Sequence, residues 1–215
     1  MKIYGLLNSN NVRRAYAVAR YLDLPVEHVD LNPFTPAGSS SEFRRMSPAG
    51  RIPAFCDGDF LLNESHAIML YLAEQKPGTL WPSEPAARAE VMRWMSWSLA
   101  HWRNGWQPLQ YERVIKHILG RGDPDAAVVE QAIPAFHQEA KLLDEHLDGR
   151  QWLVGNAVTL ADFSVASGLS FAEPARLPLE SYRNIRAWSS RMNAIPAWAE
   201  TAPRLPPQQR KGDQT

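Results

Sequence analysis

Residues 50–74, GRIPAFCDGDFLLNESHAIMLYLAE, bring together groups that can hold a small ligand by both of its ends. Glu64 and Ser65 stand just before Ile68, Leu70, Tyr71 and Leu72, whose spacing fits one buried face of a helix running to about residue 74. Ser65 therefore falls at the N-cap or in the first turn, where unpaired N–H groups and the positive end of the helix dipole favour a carboxylate. Glu64 beside it offers a partner for an ammonium group. An amino acid carries both groups on one carbon, so the pair answers the amino-acid end of a peptide. Pro53 adds a second element. A cis Ile52-Pro53 bond would turn the N–H and C=O of Ile52 outward to pair with an extended ligand, whereas a trans proline would only open an edge strand; the sequence is compatible with both.

Such groups need a frame, and the chain supplies one on both sides. Residues 2–6 read as a strand, 12–22 as a helix and 26–31 as a second strand, a βαβ beginning. Ser39-x-x-Glu42 has the capping-box pattern and predicts a short helix ending before Pro48. Residues 54–57 and 60–62 flank Gly58-Asp59, a turn composition that joins antiparallel strands. The helix from Ser65 completes a βαβ-α-ββα order. Pro77-Gly78, Pro82 and Pro85 then mark a breaker-rich linker, after which no strand pattern recurs. Helical periodicity fills 86–119, breaks at 120–125 and resumes over 126–147 with Pro134 inside it; further helical segments cover 159–171 and 182–193. Thr159 and Asp162, spaced as a cap and its partner, read as structural. The expected organisation is α/β plus all-α: a domain over 1–76, a linker over 77–85, a helical bundle over 86–204 and a disordered polar tail over 205–215.

The sequence SPAGRIP at 47–53, followed by NESHAI at 63–68 and YLAE at 71–74, resembles the cytosolic glutathione transferase family, in particular its serine-type, theta- and phi-like members. The resemblance covers about residues 1–200 and implies a thioredoxin-like N-terminal domain, a helical C-terminal domain and a homodimer. It implies a cis Pro53, backbone pairing of Ile52 with the cysteinyl part of glutathione, and capture of the γ-glutamyl end by Glu64 and Ser65. Glutathione is the implied co-substrate. Arg51, Arg44 and Arg45 are the cations near the turn that could take the glycyl carboxylate, and the position of Arg51, one the family often fills with Lys or Gln, makes it the candidate among them.

A protonated thiol is a poor nucleophile, since an unperturbed thiol has a pKa of about 8.5. Holding it as thiolate is the catalytic task, and a hydroxyl at a helix N-terminus serves it by a hydrogen bond and by the dipole. Ser9, after the first strand and before the first helix, fits that role; Asn11 is the rival for the sulfur contact, and the alternative for Ser9 is a plain helix cap. Tyr4 lies inside the first strand and reads as core or subunit contact. Trp97, His101, Trp102 and Trp106, at helical spacings in the first long helix of the second half, are expected to line an apolar pocket for a hydrophobic electrophile, with Pro108 kinking that helix. Core packing is the competing reading for each tryptophan.

Composition narrows the classes. The 215 residues carry 23 Lys plus Arg against 23 Asp plus Glu, so no charge excess favours nucleic acid or an acidic membrane. No apolar run reaches membrane length, and the opening MKIYGLL runs straight into a strand pattern, giving a cytoplasmic expectation. Cys56, the single cysteine, admits neither an intrachain disulfide nor a Cys-x-x-Cys centre and reads as a small buried hydrophobe. The six histidines show no metal-ligand spacing. The expected function is a detoxifying glutathione S-transferase; the alternatives are a glutathione-binding or ligand-carrying protein with little turnover, or a glutathione-dependent peroxidase, dehalogenase or isomerase on the same scaffold.

Overall fold

The structure, a computed structural model, describes residues 1–205. Four short strands, β1 (Lys2–Tyr4), β2 (Glu27–Val29), β3 (Ala54–Asp57) and β4 (Phe60–Asn63), form one mixed sheet in the order β2-β1-β3-β4. β1 runs parallel to β2 and antiparallel to β3, with Ile3 opposite both His28 and Phe55. The parallel pair needs a crossover, which α1 (Asn10–Tyr21) provides. The antiparallel β3–β4 pair needs only a tight turn; Gly58, at φ 56°, occupies the left-handed conformation that a tight reversal favours. Two more helices, α2 (Ser41–Met46) and α3 (Ser65–Glu74), complete a thioredoxin-like unit.

The second half is helical: α4 (Pro85–Trp97), α5 (Arg103–Gln110), α6 (Lys116–Ile118), α7 (Ala126–His146), α8 (Leu160–Ala166), α9 (Arg183–Asn193) and α10 (Pro196–Ala199). Between α4 and α6 the chain stays helical but widens into π-turns at Ser98–Trp102 and Tyr111–Ile115. Each π-turn displaces the hydrogen-bond ladder and re-aims the side chains beyond it. Pro108, which lacks an N–H, lies inside α5 between the two. Gly105 lets α5 press onto α7, since a Cβ there would stand 2.6 Å from Phe136 Cα.

One continuous core runs through both halves, from Ile3, Val18, Phe55 and Leu72 to Trp94, Trp102, Phe136, Phe163 and Trp188. It is joined through α1, which packs on α3 and also on α8 and α10. Asp162 anchors the helical half. It is fully buried, and its carboxylate accepts from Leu153 N (3.0 Å), Trp188 Nε1 (2.9 Å), Thr159 N (2.9 Å) and Thr159 Oγ1 (3.2 Å). Burial pushes this carboxyl up to about 6, against the four donors that favour its charged form.

Some expectations shift. The side chain that caps α2 is Ser40, which accepts from Phe43 N, while Ser39 ends the preceding 3-10 turn. The strands around α1 are shorter than expected. Cys56 is only half-buried and lies 3.8 Å from the Tyr4 hydroxyl. From residue 206 on, the expected disordered tail lies outside the described residues.

Candidate functional site

A cleft of about 810 Å³ opens between the thioredoxin-like unit and the helical half. Its first wall comes from the loop before α1, the 47–53 loop and the start of α3, and includes Ser9, Asn11, Arg51, Ile52, Pro53, Glu64 and Ser65. The structure thus brings together all the residues expected to hold or activate a ligand on this side. Its second wall comes from α5 and the helical turns after it, with Arg103, Trp106, Gln107, Gln110, Tyr111, Ile115, Ile118 and Leu119.

Ser9 is the N-cap residue of α1, extended at φ −83° and ψ 124°, yet its side chain makes no capping bond. Its hydroxyl is therefore not consumed by the helix that it opens. Asn11, two residues on, accepts from Arg14 Nη2 at 2.6 Å through Oδ1, which leaves its amide N–H groups as donors. Asn10 Nδ2 donates to Gln110 Oε1 at 2.9 Å, and Gln110 Nε2 donates to Gly168 O at 2.6 Å, tying the start of α1 to the opposite wall.

The Ile52-Pro53 bond is cis. The loop before it is closed by Ser47, whose hydroxyl accepts from Arg51 N (3.0 Å) and donates to Arg51 O (2.8 Å). The Arg51 side chain remains exposed beside the cleft. Glu64 is the N-cap of α3 at φ 67° and ψ 112°, a left-handed conformation uncommon outside glycine and costing about 1–3 kcal/mol. The backbone reversal presents exposed Glu64 and buried Ser65 together at the mouth of α3. Ser65 Oγ accepts from Arg14 Nε at 2.9 Å, so its own hydrogen is free to be donated into the cleft. Behind it, His66 Nε2 lies 2.8 Å from Ser164 Oγ of α8. Burial, reinforced by the Arg14 charge, holds that imidazole neutral by pulling its pKa down to about 2.

Of the four residues expected on the acceptor side, only Trp106 lines the cleft. Trp102 is fully buried and donates to Val165 O at 3.2 Å; Trp97 stacks on it with centroids 5.7 Å apart and donates to Glu139 Oε2 at 2.9 Å. His101 is exposed and does not border the cleft. The cause is helix facing. Trp94, Trp97 and Trp102 look into the bundle, while positions 103, 106, 107, 110 and 111 form the i, i+3, i+4, i+7, i+8 stripe that meets the first wall. Arg14, Arg103, Gln110 and Tyr111 carry no motif in the sequence; the one available signal was the pair Arg13-Arg14 on an otherwise apolar face of α1 without an acidic residue beside it.

The cleft can hold an extended zwitterion along its first wall and an apolar molecule against its second, with a free hydroxyl at a helix N-terminus between them. Residues 3–80 match the family model of the glutathione S-transferase N-terminal domain, and residues 104–196 that of the C-terminal domain. The chain is 32% identical over 211 residues to glutathione S-transferase 3 of Zea mays, covering 96% of this chain and 95% of that protein. It is 30% identical over 201 residues to human glutathione S-transferase theta-2B, covering 91% and 81%. Among solved structures, glutathione S-transferase III in apo form superposes with a TM-score of 0.84 at 31% identity, covering 96% of this chain and 98% of that one. Glutathione S-transferase I from mais in complex with an atrazine glutathione conjugate superposes with a TM-score of 0.86 at 27% identity, covering 94% and 95%.

Proposed function

The chain belongs to the glutathione S-transferase family, and from that premise we propose that it activates the glutathione thiol at Ser9 and joins it to a hydrophobic electrophile held against the helical wall. The observation that carries this reading is the Ser9 hydroxyl, uncommitted to a cap at the N-terminus of a twelve-residue helix and facing the cleft. A sulfur beside it meets an O–H donor and the positive end of the helix dipole, both of which favour thiolate over thiol.

The rest of the first wall fixes the peptide. Glu64 takes the γ-glutamyl ammonium, Ser65 and the first-turn N–H groups of α3 take its carboxylate, and the backbone of Ile52, before Pro53, pairs with the cysteinyl unit. Arg51, exposed beside the cleft, takes the glycyl carboxylate. Asn11 offers an amide donor as a second sulfur contact. The protein forms no bond to the substrate; it sets the thiolate and the electrophile in reacting geometry, which is where the acceleration arises. Trp106, Tyr111, Ile115, Ile118 and Leu119 receive the electrophile.

The same reading includes a glutathione-binding domain at 1–76, a linker at 77–85, a helical domain at 86–204, a cytoplasmic location and a homodimer. Phe34, 70% exposed at the edge of the cleft, is an apolar group that a second subunit would cover. Among the described residues no cluster of metal-ligating side chains is present and no helix is long and apolar enough to cross a membrane.

The test is Ser9→Ala. Loss of a hydrogen bond to a charged sulfur, worth about 1.5–3 kcal/mol, lowers kcat/KM for an aromatic halide about 10- to 100-fold, and the pH dependence of kcat/KM moves upward, while glutathione still binds. An unmoved pH profile in Ser9→Ala, with a moved one in Asn11→Ala, transfers the sulfur contact to Asn11. Binding of glutathione without any conjugation by the unmodified protein overturns the enzymatic reading.

A further inference from the structure

The chain enters α1 through Asn8-Ser9-Asn10-Asn11, and the asparagine side chains go to three different places. Asn8 reaches the segment that follows α10: its Nδ2 donates to Arg204 O (3.0 Å) and its Oδ1 accepts from Arg204 N (2.9 Å). Asn10 reaches α5, through the 2.9 Å bond from its Nδ2 to Gln110 Oε1. Asn11 stays on its own helix, with Arg14. Ser9, between Asn8 and Asn10, makes no capping bond.

Both far anchors are firm. Gln110, 2% exposed, is held from behind by its 2.6 Å bond to Gly168 O, so Asn10 ends in a two-bond strut running from α1 to the turn after α8. Asn10 Oδ1 is buried and has no hydrogen-bond partner among the described residues, a cost that a residue needed only to begin a helix could avoid by turning to solvent. On the other side, buried Thr201 Oγ1 bonds Ala197 O and Trp198 O (both 3.0 Å), and Arg13 of α1 donates to Trp198 O (3.0 Å) with its guanidinium 3.7 Å from the Trp198 ring centroid. Within the loop itself, Ser9 N donates to Leu6 O (2.9 Å) and Arg13 N to Ser9 O (2.8 Å), which set the turn and the first helical bond. The side-chain ties that flank Ser9 are made to the helical half.

We infer that Asn8 and Asn10 are positioning residues for Ser9, a two-sided bracket through which the helical half holds the sulfur-activating hydroxyl in place. This rests on the assignment of the glutathione sulfur to Ser9. A hydroxyl stabilises a thiolate only where its oxygen stands within hydrogen-bond reach of the sulfur, and a backbone loosened on either flank weakens that bond. The thiol is thus tuned by groups that do not touch it, Gln110 on one side and the segment after α10 on the other.

The experiment titrates the thiol of bound glutathione, followed by the ultraviolet absorbance of its thiolate against that of free glutathione, with no electrophile present. Ser9→Ala is expected to raise the bound thiol's pKa by about 1–2 pH units, and Asn8→Ala and Asn10→Ala each by about 0.5–1 pH unit. Gln110→Met breaks the Asn10 bond from its far end, so the Asn10→Ala, Gln110→Met double variant shifts no further than the larger of the two singles. Gln110→Met also stands in for Asn10→Ala should that variant not fold. Asn184→Ala, which cuts the bonds from α9 to Asp144 of α7, lowers the melting temperature and leaves the thiol titration where it is. Unmoved titrations in folded Asn8→Ala and Asn10→Ala beside a moved one in Ser9→Ala overturn the bracket, as does a shift in Asn184→Ala as large as theirs. A shift in only one of the two asparagine variants overturns its two-sided form. An unmoved titration in Ser9→Ala overturns the assignment of the sulfur on which the bracket rests.

Discussion

On one wall of the cleft the working groups stand where the backbone is unusual: Ser9 at a helix start, Ile52 before a cis proline, Glu64 at φ 67°. On the other, Arg103, Trp106, Gln110 and Tyr111 occupy one face of a helix, re-aimed by π-turns before and within the stretch. Special backbone ties a function to a residue type and a position, so the first wall has little freedom to change. A helix face fixes only direction, so its side chains can be exchanged with the backbone intact. The first wall is therefore suited to one invariable co-substrate and the second to acceptors of differing shape.

The hardest blow to this contrast comes from beneath both walls. Asp162→Asn sets an amide N–H₂ against the N–H and O–H donors of Thr159, and the unfolding free energy in urea is expected to drop by about 3 kcal/mol. α8 supports the first wall through α1 and α3, and the turn that continues it, Ser167–Leu169, touches α5 of the second, so affinity for glutathione and for the electrophile should survive or fail together; a loss confined to one would show that the walls are separately supported.

Next in size is a pH effect seated behind the first wall. His66 stays neutral in the folded protein, where burial and Arg14 bring its pKa to about 2, but takes up a proton below about 6.5 when unfolded. The unfolded state then binds more protons, so folding stability falls as pH drops below about 6.5, with a limiting slope of about 1.4 kcal/mol per pH unit. Asp162, whose carboxyl is raised, has the opposite sign between about 4 and about 6, which is why the comparison is made against His66→Gln, where the Asp162 contribution cancels. Urea midpoints between pH 7 and pH 5 should fall more steeply in the unmodified protein; parallel curves would remove His66 from the account.

The smallest effect sharpens the contrast most. Ile118, 40% exposed on the second wall, is expected on replacement by Ala to raise the electrophile KM about two- to five-fold and leave the glutathione KM unchanged. A change in the glutathione KM would mean that the two walls are coupled through the helix.

The same contrast explains what could be read before the fold was known. The βαβ-α-ββα order of elements along the chain, the hairpin at Gly58-Asp59 and α3 beginning at Ser65 follow from local patterns, and the helix expected over 12–22 is observed at Asn10–Tyr21. The first wall was legible because turns, caps and prolines mark it residue by residue. The second was not. Trp97, Trp102 and Trp106 share a helical spacing, and which of them faces the cleft depends on π-turns and on α7 and α8 packing from the far side, neither of which leaves a local trace. Arg14 was hidden for a related reason, since what makes it notable is that its hydrogen bonds in three dimensions all go to neutral side chains.

Glu64 carries a consequence for laboratory evolution. Its positive φ costs glycine less than a residue with a Cβ, so Gly at this position would relax the turn and stabilise the ligand-free protein by about 1 kcal/mol. That replacement also deletes the carboxylate at the mouth of α3. With Glu64 in the role proposed for it, a selection for heat resistance alone would drift toward a sturdier protein blind to the ammonium of its co-substrate, and only selection with the peptide present would hold the glutamate in place.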